Sequence, residues 1–190
     1  MLLEAPTLIA SSPKAVNVAR WYAVQTRSRF EKAVRSELEW RGVEHFLATF
    51  QEVHQWKDRK RVVETPLFAG YIFVRIEDLS EKRLEVLTAH GVVRILGANG
   101  VIQPLPDGEI DSIRKLLASG KPCSPHPFVR EGAWVRVRRG PLTGVEGRLV
   151  GFKGQERLVL SVDLLSRSVA TEVNTWDIEP ARESRKIAES

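Results

Sequence analysis

The four histidines, His45, His54, His90 and His126, and the single Cys123 are the side chains best suited to metal binding or nucleophilic chemistry, and their spacing supports neither. No nucleophile elbow or phosphate-binding glycine loop occurs. Cys123 lies in a proline-rich stretch with no recognisable base beside it, so an isolated thiol there is incidental. No catalytic residue, metal site or cofactor is expected, and the chain reads as something other than an enzyme. The chemistry on offer is that of contact. Arg27, Arg29, Lys32 and Arg35 gather at the start of one segment, and Lys57, Arg59, Lys60 and Arg61 at the tip of another, where Trp56 could stack on a base while the cations meet phosphates. The competing reading is that these are solvated surface charges.

A second contact surface follows from the apolar run Pro66-Leu67-Phe68-Ala69-Gly70-Tyr71-Ile72-Phe73-Val74. A half-exposed strand should alternate apolar with polar residues, and this one does not, so both of its faces need cover. Period two sends Tyr71 and Phe73 to one face and Ile72, Val74 and Ile76 to the other. With helices over the aliphatic side, the aromatic side bearing Tyr71, Phe73 and Phe68 is either a protein-binding surface or simply more core.

Composition narrows the class. A chain of 190 residues with 43% hydrophobic content can build one large or two small cores, which excludes wholesale disorder. A net charge of +5 and a pI near 9.6 favour an anionic partner, although the cations are interspersed with acids. One cysteine leaves no disulfide framework, in keeping with a reducing cytoplasm. No run reaches the roughly 20 apolar residues of a membrane span, so no membrane partner is expected. Residues 1–19 read as a loose tail and a poor signal peptide.

The elements that must position these residues can be read in order. Residues 20–26 suggest a strand. Ser28 and Glu31 form a capping box for a helix with Phe30, Ala33, Val34 and Leu38 on one side, closed by Gly42. Residues 43–54 read as a strand ending in the polar tip 56–61, with Val62 and Val63 resuming an extended run, hence a hairpin. After the central strand 71–76 come a short helix over 80–90, a strand at 92–96, an Asn99-Gly100 turn, and a helix over 107–119 with Ile110, Ile113 and Leu117 on one face. This order suggests an α+β fold, a ferredoxin-like βαββαβ sandwich with one extra helix. The stretch 120–127, with three prolines, reads as a semi-rigid linker. Beyond it, short strands at 134–138, 146–152, 158–162 and 169–173 suggest a small β-barrel.

Three segments taken in order, Trp21-Tyr22-Ala23-Val24-Gln25, the Pro66–Val74 run and residues 135–147 with their Gly140-Pro141 turn, resemble the NusG family of transcription elongation and antitermination factors. The likeness spans about residues 20–180, and the Pro66-Leu67-Phe68 run with the Trp56-Lys57-Asp58-Arg59 tip is closer to the family's specialised paralogues. It implies a tail at 1–19, an NGN-like polymerase-binding domain at 20–119, a linker at 120–128, an SH3-like KOW barrel at 129–180 and a charged tail at 181–190. The aromatic face, with Gln25, Phe68, Tyr71 and Phe73, would grip the clamp helices of the largest catalytic subunit of RNA polymerase, and Lys82 and Arg83 would face the opposing pincer by position alone. Arg27, Arg29, Lys32, Arg35, Trp56, Lys57, Arg59 and Lys60 would meet the non-template DNA strand. In the barrel, Leu164, Leu165 and Arg167 would be exposed for a small-subunit ribosomal protein or Rho, the alternative being that the leucines fold back. The rival reading is a ribosome-associated KOW protein that binds RNA, weakened by Glu146, Glu156, Asp163, Glu172 and Asp177. Some relatives hold the last domain as a helical hairpin. Here the β-branched content and the glycines at 140, 144, 147, 151 and 154 predict strands in the intact chain.

Overall fold

The computed structural model describes residues 18–56, 59–77, 81–98, 101–128, 132–152 and 155–181. The tail up to residue 17, the tip residues Lys57 and Asp58, the Asn99-Gly100 turn and the charged end past residue 181 lie outside the described residues.

The chain runs β1 (Arg20–Thr26), α1 (Glu31–Trp40), β2 (Glu44–Phe46), β3 (Thr49–Trp56), β4 (Arg59–Pro66), β5 (Tyr71–Ile76), α2 (Glu81–Leu87), β6 (Val92–Ile95), β7 (Gly97–Ala98), β8 (Val101–Ile102), β9 (Pro104–Leu105) and α3 (Asp107–Ala118). Then follow β10 (Cys123–His126), β11 (Ala133–Val137), β12 (Glu146–Phe152), β13 (Gln155–Val162), β14 (Arg167–Glu172) and β15 (Ile178–Pro180). The result is a mixed α/β fold dominated by strands.

Strands β1 and β5 form the centre of the N-terminal sheet, in the order β2-β5-β1-β6 with β9 also on β1. Their apolar residues sort by parity as period two requires. Tyr22, Val24, Ile72, Val74 and Ile76 lie under α1 and α2, packed on Val34, Leu38 and Val86. Trp21, Ala23 and Phe73 face the other way, towards Ile110, Ile113 and Leu116 of α3 and the apolar residues of the C-terminal sheet. That second sheet is antiparallel, in the order β10-β14-β13-β12-β11-β15. The strands expected beyond residue 133 are present in the intact chain.

Five local expectations differ from what is observed. No side chain caps α1. Phe30 takes the cap position, Arg29 adopts φ 66°, and the Glu31 carboxylate instead accepts the Gly70 N–H at 2.7 Å, which explains its burial. Ala33 faces solvent. The single strand expected over 43–54 is two strands in different sheets, because β2 pairs with β5 while β3 pairs only with β4. The helix expected over 80–90 is observed at Glu81–Leu87 and has ended before residues 88–90, and Ser80 lies outside the described residues. Finally, the stretch read as a linker contains β10, whose four residues pair with β14 from Cys123↔Thr171 to His126↔Ser168. Pro125 does not prevent this because an edge strand has one row of backbone groups without partners.

Candidate functional site

The aromatic face is built on β5. Tyr71 stands opposite Gln25, and Phe73 opposite Ala23 on β1 and Phe46 on β2. Phe73 is wedged between Phe46, stacked at 6.1 Å between centroids, and Phe68, edge-on at 5.6 Å. Phe68 and Phe73 are 1% and 0% exposed, so the expectation of an open aromatic surface is corrected for both. Both belong to one apolar cluster with Ile110, Ile113 and Leu116 of α3 and with Val135, Leu158, Leu160 and Leu165 of the C-terminal part. Tyr71 is half-buried, and the Arg167 guanidinium lies 5.3 Å from its ring centre. A cleft of about 320 Å³ is lined by Leu67, Ser166, Arg167 and the β10 residues Pro125 and His126. Nearby, Lys115 Nζ on α3 donates to the Thr143 carbonyl of the C-terminal part.

The loop expected to present two leucines is a 3₁₀ turn at Asp163–Leu165, ended by Ser166 in the left-handed region. Leu165 is 8% exposed and Leu164 half-buried against the cluster, so their expected exposure is corrected, while Arg167 does keep an exposed side chain. The two surfaces read from the sequence as separate docking sites thus meet at Arg167 and Tyr71.

The basic residues divide. Arg27, Arg29, Lys60 and Arg61 are exposed. Lys32 Nζ pairs with Glu64 Oε2 at 3.1 Å and Arg35 Nη1 with Glu64 Oε1 at 3.4 Å, so these two cations brace α1 against β4. The Thr49 hydroxyl donates to the same carboxylate at 2.8 Å, and with Lys32 and Arg35 it holds Glu64 below its ordinary pKa. Trp56 and Arg59 pair at the end of the β3–β4 hairpin, and Lys57 lies outside the described residues. Lys82 donates to the Arg41 carbonyl and to Glu85 Oε2, both at 2.9 Å, tying α2 to α1, and Arg83 follows it on the same helix. Gln25 accepts from Arg94 Nε at 3.0 Å, a partnership with no signal in the sequence because the two residues are 69 positions apart. Equally unsignalled is Arg114 of α3, which lies over Trp21 at 4.4 Å and Phe46 at 5.1 Å and closes one side of the aromatic face. Among the described residues, no group of three or more His, Cys, Asp or Glu side chains is placed to hold a metal ion.

The sequence between residues 19 and 114, which carries this face, matches the family described as NusG, transcription termination factor. The chain belongs to the NusG family. Transcription termination/antitermination protein NusG of Staphylococcus carnosus is 30% identical over 178 residues, covering 86% of this chain and 97% of its own length. The Helicobacter pylori J99 protein of the same description is 25% identical over 170 residues, covering 84% and 97%. Among solved structures, one described as domain interaction in Thermotoga maritima NusG superposes with a TM-score of 0.51 at 20% identity, covering 86% of this chain and 98% of its own, a likeness of fold. Among the described residues of this NusG-family chain, no helix is long and apolar enough to cross a membrane.

Proposed function

We propose that this NusG-family factor binds the clamp helices of RNA polymerase through the face carrying Gln25, Phe68 and Tyr71, and holds the enzyme in a processive, antiterminating state. The first part, residues 20–119, is read as an NGN-like domain of ferredoxin-like type, and residues 129–180 as an SH3-like KOW barrel. One observation carries the reading: Tyr71 is capped by Arg167, a residue of the other sheet, and not by the helices α1 and α2 that cover the opposite face. A cover supplied by a separate sheet can leave without unfolding the sheet beneath. Tyr71 then supplies an amphipathic anchor in a patch of aromatic and aliphatic side chains, the composition of an interface hot spot.

Polymerase and barrel compete for this face, so binding requires the barrel to move away. The same movement frees Leu164, Leu165 and Arg167 for the barrel's own partner, a small-subunit ribosomal protein or Rho. Exposed Arg27, Arg29, Lys60 and Arg61 are the cations assigned to the non-template strand, with Trp56, Lys57 and Arg59 assigned to it from the sequence, whereas Lys32 and Arg35 act mainly as braces through Glu64. The Pro66-Leu67-Phe68 run supports assignment among the specialised paralogues.

The test is binding of the full chain to a polymerase clamp-helix fragment. Tyr71→Ala removes an anchor worth about 2 kcal/mol, a loss of roughly thirtyfold in affinity. Unchanged affinity would sink the reading, and capture of ribosomal RNA in its place would favour an RNA-binding role.

A further inference from the structure

Strand β10 sits where the barrel would have to let go. It pairs with β14 at all four of its residues, and the Thr171 hydroxyl donates to the Pro122 carbonyl at 2.8 Å, fastening the strand at its start. On the other side, the Ser119 amide is still bonded to the Lys115 and Leu116 carbonyls of α3. Only three peptide steps separate Ser119 from Pro122, a reach of about 10 Å. The tether enters β10 at its Cys123↔Thr171 end, while Pro125 and His126, at the other end, line the cleft beside Leu67 and Arg167. A barrel tilting about so short a pivot at Thr171 cannot lift clear of the whole face. To admit even one helix of about 10–12 Å diameter along the face, the pivot must lengthen. Detaching β10 does this: the tether then runs from Ser119 to Pro127, about 27 Å when extended.

We propose that β10 is a strap whose peeling from β14 is the step that uncovers the aromatic face. This rests on the reading above that the face must be uncovered for a partner. The strap is built to be detachable. It is four residues long, it lies at the edge of its sheet, and Pro125 has no amide to donate. Proline is tolerated where its nitrogen faces away from the ladder, which places the donating positions at Ser124 and His126 and puts Cys123 in the same non-bonded phase as Pro125. Cys123 stands opposite Thr171 in that phase, where facing Cα atoms are about 4.5 Å apart and a disulfide can form.

Thr171→Cys in the full chain therefore gives a strap that can be locked by oxidation and released by reduction. The readout is hydroxyl-radical labelling of Leu67, which is 3% exposed and lines the same cleft as Pro125, His126, Ser166 and Arg167, and which needs no polymerase. Labelling should rise severalfold on reduction and return to background on reoxidation. A second variant, Ser124→Pro, removes a donating position without a disulfide, and it should raise both Cys123 alkylation and Leu67 labelling severalfold. Equal Leu67 labelling in the oxidised and reduced forms overturns the strap, as does Ser124→Pro that frees Cys123 while leaving Leu67 protected. Failure of the reduced, labelled form to bind a clamp-helix fragment would instead count against the polymerase reading and leave the strap intact.

Discussion

Tyr71 and Phe73 share a strand and a face, yet their truncations should behave in opposite ways. Strand β2 covers β5 only as far as Phe46↔Phe73, so Tyr71 lies beyond the end of β2. Phe73→Ala empties a fully buried ring site and breaks ring contacts at 6.1 and 5.6 Å. Buried Phe→Ala costs about 3–5 kcal/mol, and two lost aromatic pairs place this site at the upper end. Against a typical domain stability of about 5–15 kcal/mol, the variant would be marginal. Tyr71→Ala gives up a half-buried ring whose partner is an exposed guanidinium, an interaction of roughly 0.5–1 kcal/mol, and leaves the sheet beneath intact. Urea unfolding followed by far-ultraviolet circular dichroism measures both, and clamp-helix binding is compared only for variants that remain folded. If Phe73→Ala costs less than about 1.5 kcal/mol, or Tyr71→Ala costs as much as Phe73→Ala, the division of this face into core and interface is wrong. A double alanine variant would confuse the two, since its loss of binding would be loss of the domain.

Arg167→Glu replaces the cation over Tyr71 with an anion, so the open population should increase and clamp-helix binding by the full chain should strengthen severalfold; weaker binding would show that Arg167 serves some other purpose. Reversing Lys57, Arg59 and Lys60 to Glu should weaken association with a complex exposing single-stranded DNA and reduce the salt slope by about 2 if all three meet phosphates. A defect that is independent of salt would assign the tip to protein contact. Glu64 has a folded pKa below its ordinary 4.5, so its contribution to stability is present above that value and is lost as pH falls through the lowered folded value. The stability gap between wild type and Glu64→Gln, from urea midpoints, should therefore be largest near neutrality and close in acid; a gap that widens in acid would contradict the role of Glu64 as a charged brace.

Local periodicity made the two faces of β5 legible, because parity along a strand depends only on the strand. It did not say what lies on each face. Phe68 and Phe73 share one apolar cluster with Ile110, Ile113 and Leu116 of α3 and with Leu158, Leu160 and Leu165, some 90 residues away, and no short-range pattern encodes that meeting. The same limit explains the leucine turn: two leucines at a bend read as exposed until a second sheet is there to receive them. The capping box at Ser28 failed for a different reason. Gly70, with φ 83°, brings its amide to Glu31, and a tertiary hydrogen bond took the carboxylate that a local cap would have used. At 120–127 the three prolines correctly mark a stretch poor in donors, but an edge strand needs donors on one side only, so β10 was hidden by the very residues that suggest a linker.

For a partner that binds Tyr71 as proposed, the Arg167 side of the molecule, being part of the same polypeptide, would act as a competitor at fixed local concentration, of millimolar order for a short tether. Making more of the protein does not dilute that competitor, and making less does not concentrate it. A partner therefore sees an apparent dissociation constant equal to its intrinsic value divided by the open fraction: a chain open 1% of the time would turn a nanomolar contact into one of about 100 nM. Response to the partner's abundance is then set by the strength of the Arg167–Tyr71 interface and is independent of expression level. Substitutions at Arg167 would tune the threshold at which the factor engages polymerase without altering Tyr71, the residue proposed to touch it.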